Sequence, residues 1–154
     1  MRRILKRTIA TPTGPLTISA TDDDITAVTW STHPAQDDSP LLREATEQVH
    51  AYFDGQLTRF DLPLALPDRP ILRAVCERML AIPFGETRTY GDLARSLGKP
   101  AQAIGQACGR NPIALIIPCH RILARNGLGG FSGGTGLETK IQLLKHEGAA
   151  SLLI

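Results

Sequence analysis

The chain has 154 residues, 42% of them hydrophobic and 21% charged, and 17 Lys+Arg against 15 Asp+Glu leave a formal net charge of +2. That length allows one domain or two small ones with a packed core, and no apolar stretch is long enough to span a membrane. Three cysteines at uneven spacing, Cys76, Cys108 and Cys119, argue against a disulfide framework and for a reducing compartment; without a Cys-x-x-Cys pair, neither zinc nor any other metal is expected.

The start, Met1-Arg2-Arg3-Ile4-Leu5-Lys6-Arg7, is basic, but no hydrophobic stretch follows it, so no signal peptide is expected there. Strands are predicted over Lys6–Thr11, Leu16–Ala20 and Ile25–Trp30, with Asp22-Asp23-Asp24 turning between the last two. Helical spacing of Leu42, Ala45, Val49, Tyr52 and Phe53 predicts a helix over Leu41–Phe53. Ser39 is its expected N-cap, Pro40 its first residue, and Asp54-Gly55 its end. No chemical motif falls in this half, which reads as structural support.

Pro63, Pro67 and Pro70 make residues 62–70 an extended connector. A helix over Ile71–Ala81 follows, with Cys76 among its apolar positions. Thr89–Leu97 reads as a short helix with Thr89 as a possible cap, Gly98-Lys99-Pro100 as a tight turn, and Ala101–Gly109 as a second helix. Such a helix-turn-helix binds nucleic acid in some proteins and is plain helix packing in others. Charge is uneven: residues 1–66 carry −3, and residues 67–154 carry +5, the sign a polyanion attracts, but ordinary surface charge accounts for +5 as well.

Asn111-Pro112 marks a turn, and the apolar run Ile113–Ile117 is predicted as a short covered strand that Pro118 stops. Cys119 then stands directly before His120 and Arg121. A cysteine beside an apolar run is either an inert core residue or a thiol made nucleophilic by a neighbouring base or cation. The glycine-rich stretch Arg125–Gly134 favours the second, because such a loop lets backbone amides approach a flat ligand. A helix over Cys119–Leu123 is expected to put the sulfur in a positive dipole field that lowers its pKa. His120 is the expected base, acting through one water. Glu147 near a helix C-terminus is either a solvated end or the carboxylate that orients the imidazole.

Pro118-Cys119-His120-Arg121, with Asn111-Pro112 ahead and Phe131-Ser132-Gly133-Gly134 behind, resembles the active-site signature of the O6-alkylguanine-DNA alkyltransferases, or methylated-DNA–protein-cysteine methyltransferases. The resemblance covers almost the whole chain. It includes Thr11–Leu16, Ile82–Thr87 with Tyr90–Ala94, and Leu143–Gly148, in the family's order. It implies an α+β protein: a ribonuclease-H-like domain over residues 1–66, with a small antiparallel sheet and a helix, and a mostly helical, winged-helix-like DNA-binding and alkyl-transfer domain over residues 67–154.

The implied reaction moves an alkyl group from guanine O6 onto Cys119, once per molecule and without a cofactor, after the base is flipped from the duplex. The resemblance assigns Asn111 to pinning the active-site turn and Tyr90 to donating to the departing guanine. Ser132 would bond guanine O6, the Cys119 and Ile122 carbonyls would accept from the exocyclic amine, and Phe131, with Gly133 beside it, would wall the pocket. Arg121 is expected to be a structural ion-pair partner. Double-stranded DNA carrying O6-alkylguanine is the implied partner, met in its minor groove by Ala101, Gln102, Ala103, Gly105 and Arg110, with the protein acting as a cytoplasmic monomer. Gln102 stands where many relatives carry an arginine that fills the gap left by the flipped base.

The residues argue against three rival readings. A non-catalytic alkyltransferase-like lesion binder lacks the cysteine that Cys119 supplies. A cysteine hydrolase would make unusual use of an adjacent nucleophile and base. A sequence-reading regulator would need Arg, Lys or Asn on the second helix, which has none.

Overall fold

The computed structural model describes residues 3–130, 133–134 and 136–149. Contacts divide the chain into two units. The first runs to Ala65 and includes Pro112–Ala114; the second comprises Leu66–Asn111 and the chain from Leu115 onward.

The first unit is an antiparallel sheet of β1 (Leu5–Ile9), β2 (Leu16–Ala20) and β3 (Ile25–Thr29), in that order, with α1 (Pro40–Phe53) packed on it. The β1–β2 hairpin pairs Leu5 with Ala20 and Ile9 with Leu16. At the next turn the Thr21 hydroxyl accepts from the backbone N–H groups of Asp23 and Asp24, at 3.2 and 3.1 Å. Alternation sends Leu16, Ile18 and Ala20 into the core, where Leu42, Ala45, Val49 and Tyr52 of α1 are also buried. α1 starts as its sequence predicts: Ser39 Oγ accepts from Leu42 N–H at 3.1 Å and Pro40 opens the first turn.

In the second unit, α2 (Pro70–Leu80) packs against α3 (Tyr90–Leu97) and α4 (Ala101–Cys108). Thr89 caps α3 in a reciprocal box: its hydroxyl accepts from Asp92 N–H at 3.0 Å, while Asp92 Oδ2 accepts from Thr89 N–H at 2.8 Å. Gly98 ends α3 in the left-handed conformation, φ +64°, and Pro100 leads into α4. Ile104, Ala107 and Cys108 face inward; Ala101, Gln102, Gln106 and Arg110 are exposed. α5 (Leu137–His146) closes the unit.

Two expectations fail here. Ile113–Ile117 is not a strand. In the first unit Ile113 alone bridges Val28, with Val28 N–H donating to the Pro112 carbonyl at 3.0 Å and Ala114 N–H to the Val28 carbonyl at 3.1 Å. Residues 114–116 then turn, and Leu115 has φ +70°, the one positive value at a non-glycine among the described residues. The run is buried as expected, and burial alone cannot distinguish a strand from a turn that satisfies its own backbone. Nor is Cys119–Leu123 a helix. Cys119–Arg121 form a single 3-10 turn, and Ile122–Leu123 (β5) pair in parallel with Arg88–Thr89 (β4). This pairing, invisible in so short a segment, lays the start of α3 beside the residues after Cys119.

Candidate active site

The Cys119 N–H donates to the Ile117 carbonyl at 2.8 Å, tightening the chain at the sulfur. Asn111 Nδ2 donates to the same carbonyl, also at 2.8 Å, so one carboxamide holds the turn in which Cys119 sits. One residue on, His120 is fully excluded from solvent. Its Nε2 lies 2.7 Å from Glu147 Oε2. Arg121 grips the same carboxylate, with Nε 2.8 Å from Oε1 and Nη2 3.0 Å from Oε2, and its Nη1 donates to the Ile82 carbonyl at 2.6 Å. The guanidinium also lies over the Phe84 ring, 5.9 Å from its centre. Glu147 caps the C-terminus of α5, where a carboxylate opposes the helix dipole; His120 and Arg121 are the compensating partners.

A carboxylate only accepts, so the hydrogen in the His120–Glu147 contact is on Nε2. Burial, only partly opposed by Glu147, holds the His120 pKa below the usual imidazole value of 6.5. The ring is therefore neutral at pH 7, and Nδ1 keeps its lone pair. That atom is buried and has no hydrogen-bond partner among the described residues.

The expected acidification of Cys119 is overturned. Burial pushes the thiol above its ordinary 9.0, and neither the Asn111 hydrogen bond nor the positive charge of Lys140 brings it back. A three-residue 3-10 turn carries little of the dipole that the expectation relied on. The resting sulfur is therefore a thiol. Burial also raises the Tyr90 phenol, and any charge forming on Cys108 or Cys119 would raise it further, so Tyr90 stays a hydroxyl donor. Its ring lies against the loop after β5: a Cβ on Gly129, φ +73°, would fall 3.1 Å from Tyr90 Cε2.

The Ile122 and Cys119 carbonyls each already accept one bond, from Lys140 Nζ at 2.6 Å and from Ile122 N–H respectively, which leaves each a second lone pair. Gly133 is half-buried, and its carbonyl accepts from Gly136 N–H at 2.8 Å. Phe131 and Ser132 lie outside the described residues. Ala101, Gln102 and Arg110 are exposed around α4, with Ala103 and Gly105 half-buried; a Cβ on Gly105 would meet open space.

Sequence reasoning missed Lys140. It is wholly buried, and its ammonium donates to the carbonyls of Ile122, Leu128 and, at 3.2 Å, Gly130, tying β5 to the glycine loop. Burial lowers its pKa to about 8, against the pull of Cys119 and Cys108. The available signal was position: Lys140, Leu143, Leu144 and Glu147 fall at i, i+3, i+4 and i+7, one helix face.

Comparison with known proteins matches residues 4–66 to the family model "6-O-methylguanine DNA methyltransferase, ribonuclease-like domain" and residues 70–149 to "6-O-methylguanine DNA methyltransferase, DNA binding domain". A methylated-DNA–protein-cysteine methyltransferase of Methanosarcina acetivorans is 38% identical over 149 residues, covering 90% of this chain and 94% of the relative. One from Mycobacterium bovis is 40% identical over 152 residues, covering 92% and 90%. Among solved structures, the O6-methylguanine methyltransferase of Mycobacterium tuberculosis superposes with a TM-score of 0.85 at 36% identity, covering 99% of this chain and 97% of that one. The OGT of the same organism in complex with DNA gives 0.83 at 39%, covering 95% of each chain.

Proposed function

The chain belongs to the 6-O-methylguanine DNA methyltransferase family, and from that footing we propose how its residues carry out the reaction. The protein is a DNA-repair methyltransferase that moves an alkyl group from DNA to a cysteine of its own. We take the substrate to be guanine alkylated at O6, flipped out of a duplex approached from the minor groove, and the acceptor to be Cys119.

The Cys119 sulfur attacks the alkyl carbon in line, the carbon–O6 bond breaks, and guanine leaves. The thiol proton must go first. His120 Nδ1 supports its role as the base, since it is a neutral, buried nitrogen with an unused lone pair, reached through one water. Glu147 holds the ring in that tautomer and stabilises the imidazolium that forms. Tyr90, kept protonated, supplies a hydrogen to the departing guanine. Ser132, Phe131, Gly133 and the second lone pairs of the Cys119 and Ile122 carbonyls complete the base pocket in this reading. The exposed side of α4, with Ala101, Gln102, Ala103 and Gly105, and the neighbouring Arg110, is the DNA-facing surface. Residues 1–66 serve as structural support. No route for removing an alkyl group from a thioether is implied, so each molecule acts once. The protein is taken to act as a cytoplasmic monomer; among the described residues no helix is long and apolar enough to cross a membrane.

The unpartnered Nδ1 of His120, the residue that follows Cys119, carries this reading. Intact-mass measurement after incubation with O6-methylguanine duplex tests it. A gain of one methyl group, mapped to Cys119, is expected, with none in Cys119→Ala, which should still bind DNA. Transfer to another residue in that variant overturns the assignment.

A further inference from the structure

Arg121 takes no step in the reaction, yet it is bonded to the residue that orients the base. Its guanidinium holds both oxygens of Glu147, with Nε 2.8 Å from Oε1 and Nη2 3.0 Å from Oε2. Oε2 is also the atom that accepts from His120 Nε2, at 2.7 Å. Arginine and imidazole therefore share one carboxylate oxygen, and all three residues are buried. The guanidinium is anchored from elsewhere as well. Its Nη1 donates to the Ile82 carbonyl at 2.6 Å, and it lies over the Phe84 ring. Both belong to the segment between α2 and β4, so the fork is fixed independently of the carboxylate it grips.

We propose that Arg121 is a positioning residue for His120: by binding both oxygens of Glu147 it fixes the carboxylate against Nε2 and offsets its charge, so that Nδ1 stays bare. This rests on the reading of His120 as the base. The physical reason is charge balance in a site without water. An uncompensated carboxylate 2.7 Å from a buried imidazole would draw a second proton onto the ring. An imidazolium has no lone pair with which to take the thiol proton. Paired with a guanidinium, the same carboxylate still accepts from Nε2 and orients the ring, but its pull on a second proton is opposed. The charged groups that act on the ring are Glu147 at the end of α5, Lys140 within α5, and Arg121 beside the ring. Lys140 does not replace Arg121 in this. Its three donors go to the Ile122, Leu128 and Gly130 carbonyls, which leaves none for Glu147. Nor does lysine present the planar fork that meets two carboxylate oxygens at once.

Ring-nitrogen NMR on the full chain follows the histidines through pH, with His120 assigned by the loss of its signals in His120→Asn. In the parent, His120 should show hydrogen on Nε2, a bare Nδ1, and titration below 6.5. Arg121→Met should make the ring titrate above that value. Arg121→Gln keeps a donor for Glu147 without the charge; it should shift the ring the same way and carries the test if the apolar variant does not fold. Arg121→Lys, which keeps the charge, should return the titration toward the parent's. Single-turnover kinetics supply the second readout. The ratio of variant to parent rate for Arg121→Met or Arg121→Gln should be several-fold lower at pH 6.5 than at pH 8, whereas a residue that only holds the fold lowers the rate equally at both. A ring that titrates no higher than the parent's in the uncharged variants overturns the proposal. A raised titration with a constant rate ratio upholds the hold of Arg121 on the ring and overturns His120 as the base.

Discussion

His120 and Glu147 meet at 2.7 Å with both side chains wholly shielded from water. Arg121 closes on the same carboxylate, so a histidine, an arginine and a glutamate at a helix end form one buried set. Glu147→Gln keeps the size and removes the charge, leaving Arg121 buried without its counter-ion. Breaking such a pair costs about 3–5 kcal/mol. With His120 as the proposed base, losing its orienting carboxylate should slow alkyl transfer by about 10²-fold or more. Thermal unfolding and single-turnover kinetics read the two effects separately. A variant that melts early but reacts at the parent rate shows that Glu147 only holds the fold.

The ionisation of the site predicts its pH behaviour. Iodoacetamide should label Cys119 more slowly than a free cysteine at pH 8, and the rate should keep rising beyond the ordinary thiol value of 9.0. With His120 as the proposed base, alkyl transfer needs the neutral ring, whose pKa lies below 6.5, so the rate should hold down to pH 6.5 and fall only below it. Stability should follow the same sign. Above 6.5 the ring is neutral both folded and unfolded; as pH falls, the unfolded ring takes a proton first and the fold loses ground until the buried ring titrates. Labelling faster than free cysteine at pH 8 would mean that the resting sulfur is already a thiolate.

Lys140→Met fills the same space without a charge or a donor. The Ile122, Leu128 and Gly130 carbonyls lose their common partner, and each one left buried and unpaired costs about 1–3 kcal/mol. Lys140 also pulls the Cys119 pKa down, so its removal should raise that pKa and slow labelling further. Thermal melts, and thiol labelling as a function of pH, measure both. Unchanged labelling would remove Lys140 from any part in tuning the sulfur.

Gln102 sits exposed near the start of α4 without charge. Glutamine can fill space and form hydrogen bonds, but it lacks the planar cation that stacks on bases. Gln102→Arg should therefore speed repair of duplex substrate several-fold and leave reaction with a free alkylated base unchanged. Equal duplex rates for parent and variant would show that this position does not support the flipped state.

Much of the architecture was legible residue by residue. Ser39-Pro40 and Thr89 with Asp92 mark helix starts because a side-chain oxygen within a few residues satisfies an otherwise unpaired N–H, a purely local requirement. The reactive string Pro118–Arg121 and the glycine loop were equally plain. The turn at Leu115, the β4–β5 pair and the buried ammonium of Lys140 were not, because each is fixed by groups far along the chain.

Sequence by itself determined which atoms are available: one cysteine, one imidazole beside it and a distant glutamate on a helix. Tertiary structure decided their charge states. A pKa is set by the solvent a group loses and the charges brought near it, and both come from residues remote in sequence. Here, burial overrode the expected dipole, leaving Cys119 protonated and His120 neutral.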